Sequence, residues 1–102
     1  MSDTTMMQVI NPRTGNVCAT VPACSAAKTL AAIQDARAAQ AAWAARPVVE
    51  RAKILMRIHD AVLHRRDELL DIIQLETGKN RTSALDEVMD VAINARYYAR
   101  HA

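Results

Sequence analysis

The chain has 102 residues, 51% of them apolar and 24% charged, with a net charge of +2. That length allows one small domain, the near balance of charge argues against a dedicated nucleic-acid surface, and no apolar run approaches the ~20 residues of a membrane helix. With no Phe, one Trp and two Tyr, a core must be built from Leu, Ile, Val, Met and Ala, and so must be thin.

The N-terminus, MSDTTMMQVI, is polar and acidic before it turns apolar, which is not the order of a secretory signal. Residues 1–8 are expected to be frayed and disordered. Val9 and Ile10 precede two turn signals, Asn11-Pro12 and Thr14-Gly15-Asn16. Beyond them Val17, Ala19 and Val21 alternate with Cys18 and Thr20, the period of a strand. The pattern predicts a hairpin with strands over 7–10 and 16–21 and a turn over 11–15. Pro22 closes it, having no amide to give a ladder. Cys18 and Cys24 are spaced C-x5-C, which suits neither a zinc knuckle nor a redox pair. They read as free thiols of a reducing compartment, Cys18 as a small buried or half-buried hydrophobe.

Twelve of the twenty-three residues from Ala23 to Ala45 are alanine, so propensity alone predicts a helix, with Ser25 as its N-cap. Its apolar face is Ala26, Leu30, Ile33, Ala36, Gln40 and Trp43. It must stop before Pro47, which suits the first turn of a second helix. Glu50 sits in that turn, where the helix dipole favours it. A stripe of Leu55, Ile58, Val62, Leu69 and Ile73, widened by Ile54, Ala61 and Ile72, carries the second helix on. His64-Arg65-Arg66-Asp67 interrupts the stripe, so a kink or break is expected near Arg65–Asp67, with Asp67 capping a fresh helix over 68–77. Gly78 follows as a C-cap glycine. The last helix is predicted over 81–99, with Ala84, Val88, Val91, Ala95 and Tyr98 facing inward and one ring of Tyr97-Tyr98 in the core. Its acids, Asp86 and Glu87, precede its bases, Arg96, Arg100 and His101, an order that complements the dipole.

Little in this sequence can carry chemistry. Gly78-Lys79 resembles the end of a phosphate loop, but G-x-x-x-x-G-K-[ST] needs a glycine at position 73 and a hydroxyl at position 80, where Ile73 and Asn80 stand. His59 and His64 are five apart, not the four that put two ligands on one helix face. Cys18 has no basic neighbour in sequence to hold a thiolate. Glu76, at a helix end, is expected to face solvent. No nucleophile–base pair can be nominated.

Taken together, INPRTGNVCATVPACS, ARAAQAAWAARPVVERAKILMRIHDAVLHRRDELLDIIQLETGK and EVMDVAINARYYAR resemble the N-terminal segment of the aldehyde dehydrogenase superfamily. Asn11-Pro12 with Thr14-Gly15 is similar to the family's opening turn, and Ala41–Trp43 to the end of its first helix. Glu50-Arg51 resembles the opening of its second helix, Glu76-Thr77-Gly78-Lys79 its Glu-x-Gly-Lys turn, and Glu87-Val88 with Tyr97-Tyr98-Ala99 its third helix. The wording is most similar to that of succinate-semialdehyde dehydrogenases. The resemblance implies a mostly α segment: an N-terminal β-hairpin and three helices, or four if the second is broken. That would be a partial piece of the family's α/β fold, residues 1–102 forming one segment at the N-terminal end of a cofactor-binding domain.

The family's enzymes oxidise aldehydes to carboxylic acids with NAD or NADP, through a covalent adduct on a cysteine. Their cofactor glycines, catalytic cysteine and general-base glutamate lie downstream of this segment. Neither Cys18 nor Cys24 stands at the catalytic position. The expectation is therefore no catalytic, cofactor-binding or metal-binding residue here, and no activity from the chain alone. Some members hold a monovalent cation with a carboxylate at the Glu76 position and carbonyls near Val9 and Ile10, but no metal is expected in this chain. The expected partner is the remainder of the dehydrogenase or a second copy of the chain, in the cytoplasm, with neither nucleic acid nor membrane. Two alternatives stand beside this reading: a non-catalytic remnant that self-associates or binds a partner, and a small helical DNA-binding domain.

Overall fold

The computed structural model describes residues 5–101. The order of elements is β1 (Met6–Ile10), β2 (Val17–Pro22), α1 (Ala26–Ala45), α2 (Val48–His64), α3 (Arg66–Thr77) and α4 (Arg81–His101). The hairpin and four helices agree with the expected architecture, with the second predicted helix broken in two. The chain forms two compact units, Met1–Ala45 and Arg46–Ala102.

In the N-terminal unit β1 and β2 pair antiparallel, from Met6 opposite Pro22 to Ile10 opposite Val17. The strand begins earlier than the sequence suggested. Met6, Met7 and Gln8, expected to be frayed, are paired with Pro22, Val21 and Thr20, and the Ala23 N–H donates to the Thr5 carbonyl at 2.7 Å. Residues 1–4 of that expectation lie outside the described residues. The hydrogen-bond ladder holds these polar and Met residues although the side chains are exposed. The register shifts by one residue at Val9/Ile10, where Cys18 is the extra residue of a bulge. The turn is built by Asn11. Its Oδ1 accepts the Arg13 N–H at 2.9 Å and its carbonyl accepts the Gly15 N–H at 2.8 Å. Gly15 has φ 75°, a region that glycine enters without steric cost.

Ser25 caps α1 as expected, its Oγ accepting the Lys28 N–H at 3.2 Å. The helix that follows buries none of its residues. Leu30, Ile33 and Trp43 remain exposed. Alanine makes this helix by propensity and cannot make a core, because a methyl group contributes little area.

The C-terminal unit holds the core. Leu70 is 4% exposed, Ala84 0%, Val88 2% and Ala92 1%. Leu70, Ala84 and Val88 form one cluster, with Val62, Leu69 and Ile73 packed against it. α4 returns along α2 and also packs on α3.

Three sequence expectations are corrected here. Val91 and Tyr98, assigned to the inner face of α4, are 50% and 60% exposed. The inner line instead runs Ala84, Val88, Ala92, with Ala95 and Ala99 half-buried. Small residues at spacing four let the backbones of α2 and α4 approach closely, while larger residues at 91 and 98 would hold them apart. The Tyr97 ring is likewise exposed, so neither tyrosine is in the core. Ile58, placed in the α2 stripe, is exposed, whereas Leu70, outside the predicted stripe, is its most buried large side chain. The third correction is Asp67, which does not cap α3. The helix begins at Arg66, two residues earlier than expected, after an Arg65 that makes no side-chain cap, and Asp67 lies in the first turn.

The break between α2 and α3 is held by exposed ion pairs. Arg65 forks onto Glu68 with Nε–Oε2 at 2.8 Å and Nη2–Oε1 at 2.7 Å, and Arg66 Nε donates to Asp67 Oδ1 at 3.0 Å. The hydrogen bond and charge of Arg65 hold the Glu68 carboxyl below its ordinary range, and Arg66 does the same for Asp67. A depressed carboxylate contributes stability that is present above its unfolded pKa and is lost as pH falls through the lower, folded value. A proton-exchange titration by NMR should therefore find Glu68 titrating below a free glutamate, and Arg65→Ala should bring it back to the ordinary range. Equal midpoints in the two proteins would show that the fork does not persist in solution. The pair is exposed, so salt should weaken the shift.

Candidate functional site

The Glu76-Thr77-Gly78-Lys79 turn joins α3 to α4 through a local hydrogen-bond network. Gly78 ends α3 with φ 71° and ψ 7°, the left-handed conformation expected of it. Its N–H donates to the Gln74 carbonyl at 3.0 Å. Thr77 Oγ1 donates to the Ile73 carbonyl at 2.6 Å and accepts the Lys79 N–H at 3.3 Å. Asn80, named from sequence only for lacking the hydroxyl of a phosphate loop, is the N-cap of α4. Its Oδ1 accepts the Ser83 N–H at 2.8 Å. Arg81 from α4 reaches back to Asp71 and, at 2.9 Å, to Gln74 Oε1 on α3. Lys79 pairs with Glu87.

This arrangement answers the phosphate question. A phosphate cradle presents free amides and a free lysine to its ligand. Here the amides of Gly78 and Lys79 are already given to the protein, and the ammonium of Lys79 is given to Glu87. The chain's two glycines, Gly15 and Gly78, each serve a turn. With these groups engaged, the turn does not fit the phosphates of a dinucleotide. The turn is a structural joint. Gly78→Ala should cost about 1 kcal/mol, because a Cβ in this conformation is strained. Urea unfolding of wild type and variant measures it, and a loss below a few tenths of a kcal/mol would remove the cap argument.

The other nominated groups are dispersed. Cys18 Sγ donates to the Val9 carbonyl at 3.3 Å, and Cys24 is exposed. His59 Nδ1 lies 2.9 Å from Asp60 Oδ1. Glu76 is exposed. Among the described residues no three His, Cys, Asp or Glu side chains are grouped as a metal ion would require, and no helix is long and apolar enough to cross a membrane.

What each unit shows instead is exposed apolar side chains. Met6, Met7, Ile10 and Val17 lie open on the hairpin, Leu30, Ile33 and Trp43 on α1, and Ile72, Leu75, Val91, Ile93, Tyr97 and Tyr98 on α3 and α4. Arg51 Nε of α2 is buried without a hydrogen-bond partner. Sequence periodicity found apolar faces on α1 and α4, and their Leu30, Ile33, Val91 and Tyr98 are exposed.

Comparison with known proteins shows what such a piece belongs to. The sequence profile of the aldehyde dehydrogenase family matches residues 1–102. A provisionally named succinate-semialdehyde dehydrogenase (NADP(+)) of Mycolicibacterium smegmatis is 51% identical over 89 residues, which are 87% of this chain and 17% of that protein. The succinate-semialdehyde dehydrogenase (NADP(+)) of Deinococcus radiodurans is 40% identical over 89 residues, 87% of this chain and 19% of that protein. Among solved structures, an NAD-dependent benzaldehyde dehydrogenase from Corynebacterium glutamicum superposes with a TM-score of 0.91 at 31% identity, over 99% of this chain and 21% of that one. The chain spans less than a fifth of the length of the curated relatives named here, and it corresponds to their N-terminal segment. With the hairpin, the Gly78 turn and the helix order all in place, the chain belongs to the aldehyde dehydrogenase family.

Proposed function

We propose that this chain serves as the N-terminal structural segment of an NAD(P)-dependent dehydrogenase that oxidises succinate semialdehyde or a close relative to the carboxylic acid. The observation that carries this reading is the breadth of the match: 40–51% identity to succinate-semialdehyde dehydrogenases runs through 87% of the chain. In it the chain contributes no nucleophile, base or cofactor ligand. It contributes surface: the apolar faces of the hairpin, α1 and α3, which need a cover that the C-terminal remainder of such an enzyme would supply. The place of action is the cytoplasm, and the partner is protein. A nucleic-acid partner is disfavoured because Asp86 and Asp90 lie exposed along the N-terminal half of α4, where they would repel a phosphate backbone.

The test is complementation. The chain is co-expressed with the M. smegmatis relative from which the matching N-terminal segment has been removed. The purified mixture is then assayed with succinate semialdehyde and with benzaldehyde, each with NAD and NADP, by the near-ultraviolet absorbance of reduced cofactor. Turnover by the mixture, with none from either part, is expected, succinate semialdehyde with NADP being the better pair. Aldehyde oxidation by the chain alone, in protein free of host dehydrogenases, would overturn the reading. So would failure of the parts to co-purify.

A further inference from the structure

Among the described residues β1 and β2 form a sheet of two strands, and no described residue of the N-terminal unit is buried. A two-stranded hairpin by itself is marginally stable in water. A third strand or a packed backing layer is what makes one hold.

The two edges of this hairpin are not alike. The Ala23 N–H donates to the Thr5 carbonyl, and that pair continues the register of Met6 with Pro22. Hydrogen-bonded pairs alternate with non-bonded pairs along an antiparallel ladder. Met7–Val21 and Val9–Ala19 are therefore bonded pairs, and Met6–Pro22 and Gln8–Thr20 are not. Past the bulge the Asn11 N–H donates to the Asn16 carbonyl, which makes Ile10–Val17 a non-bonded pair. The amides and carbonyls of Met6, Gln8 and Ile10 thus point away from β2, at a regular spacing of two. On β2 the outward residues are Val17, Thr20 and Pro22. Pro22 has no N–H to offer, and the bulge at Cys18 sets Val17 and Thr20 three apart. Proline, bulges and charges are what blunt a sheet edge against further pairing. β2 has two of these devices, and β1, Met-Met-Gln-Val-Ile, has none. Met7 and Val9 share one face of the hairpin with Val21 and Ala19, and Gln8 and Thr20 lie on the other.

We propose that the outer edge of β1 accepts a third strand, an extended segment of the dehydrogenase that lies outside this chain. It pairs with the main chain of Met6, Gln8 and Ile10 and carries apolar side chains beside Met7 and Val9. This rests on the enzyme reading, which supplies the occupant. The hairpin superposes within a solved relative of which this chain covers only 21%, so most of such an enzyme is chain outside this segment.

Amide hydrogen exchange tests the strand on the full chain, isotope-labelled, alone and in complex with the M. smegmatis relative lacking its matching N-terminal segment. Met7 and Val9, bonded within the hairpin, should be protected in both. Met6, Gln8 and Ile10 should exchange freely in the chain alone and about tenfold or more slower in the complex, while Val17 and Thr20 stay unchanged. Gln8→Pro and Thr20→Pro form a matched pair, because the two residues face each other across the ladder. Each removes one outward N–H and spares the hairpin's own bonds. Gln8→Pro should weaken the complex about tenfold in a binding titration, and Thr20→Pro by no more than about twofold. A complex in which Met6, Gln8 and Ile10 exchange as freely as in the chain alone overturns the third strand and leaves the enzyme reading standing. Equal losses from the two prolines overturn the choice of edge. Absence of any complex with a folded remainder overturns both the strand and the enzyme reading. Protection of the β1 amides in the chain alone, rising with concentration, gives the edge to a second copy and also overturns the proposal. If the remainder does not fold by itself, the chain is fused in place of the relative's own N-terminal segment and the same amides are read by mass spectrometry. Protection at Met6, Gln8 and Ile10 is again the expected result, and free exchange there the refuting one.

Discussion

Leu70→Ala should remove most of the stability of the C-terminal unit, about 3 kcal/mol, from a unit so small that its total is expected to be only a few kcal/mol more. Leu70 is 4% exposed and is the largest side chain in the buried cluster, where it meets Ala84 and Val88. Those neighbours cannot grow to fill the space it leaves. Val62, Leu69 and Ile73 are already packed around the cluster, so the site can collapse only by moving a helix. Leu75 is five residues further along α3 and 45% exposed. Leu75→Ala should cost well under 1 kcal/mol by comparison. Urea unfolding followed by circular dichroism, at one protein concentration for all variants because association adds to apparent stability, gives both numbers. Equal losses at Leu70 and Leu75 would mean that the cluster is not the core in solution.

Ala92→Asp should be more damaging still and should leave the C-terminal unit unfolded at ordinary temperature. Ala92 is 1% exposed on the line of α4 that meets α2. A carboxylate there has neither room nor a partner, and burying an unpaired charge costs several kcal/mol. Val91→Asp, one position earlier, is the control. Val91 is 50% exposed, so the new carboxylate stays in water and the change should fall within about 1 kcal/mol. The two substitutions introduce the same residue into the same helix at adjacent positions; replacing Ala rather than Val loses only about 0.5 kcal/mol more of helix propensity, so the buried face decides. Far-ultraviolet circular dichroism and a thermal melt separate them. A Val91→Asp protein that unfolds while Ala92→Asp folds would return α4 to the face that periodicity suggested.

The ends of the elements were legible in the sequence because local chemistry sets them. Ser25 caps α1 with its own hydroxyl. Pro47 precedes α2 with φ −53°, the value its ring imposes. Gly78 takes the one conformation that other residues avoid. The interruption at Arg65–Asp67 was also visible, since charged residues break the apolar period there, although the capping role of Asp67 was not realised. The emptiness of the candidate phosphate site could be read from Ile73 and Asn80 before any coordinates. That Gly78 and Lys79 have already spent their amides could not, because this depends on where Thr77 and Gln74 stand in three dimensions.

Which apolar side chains are buried was a different kind of question. α4 carries Val88, Val91, Ile93, Tyr97 and Tyr98 around much of its circumference, so a periodicity argument can draw more than one plausible stripe through it. The packed helix selects the line Ala84, Val88, Ala92, because close approach to α2 rewards small residues and because Leu70 of α3 must fit against them. α1 shows the same limit from the other side: alanine content makes it a helix wherever it stands, yet Leu30 and Ile33 on its apolar face stay exposed. Secondary structure, helix ends, turn chemistry and family membership are properties of short-range order along the chain, and the sequence carries them directly. Burial is a property of what else is present to pack against, and only the tertiary arrangement of α2, α3 and α4 decided it.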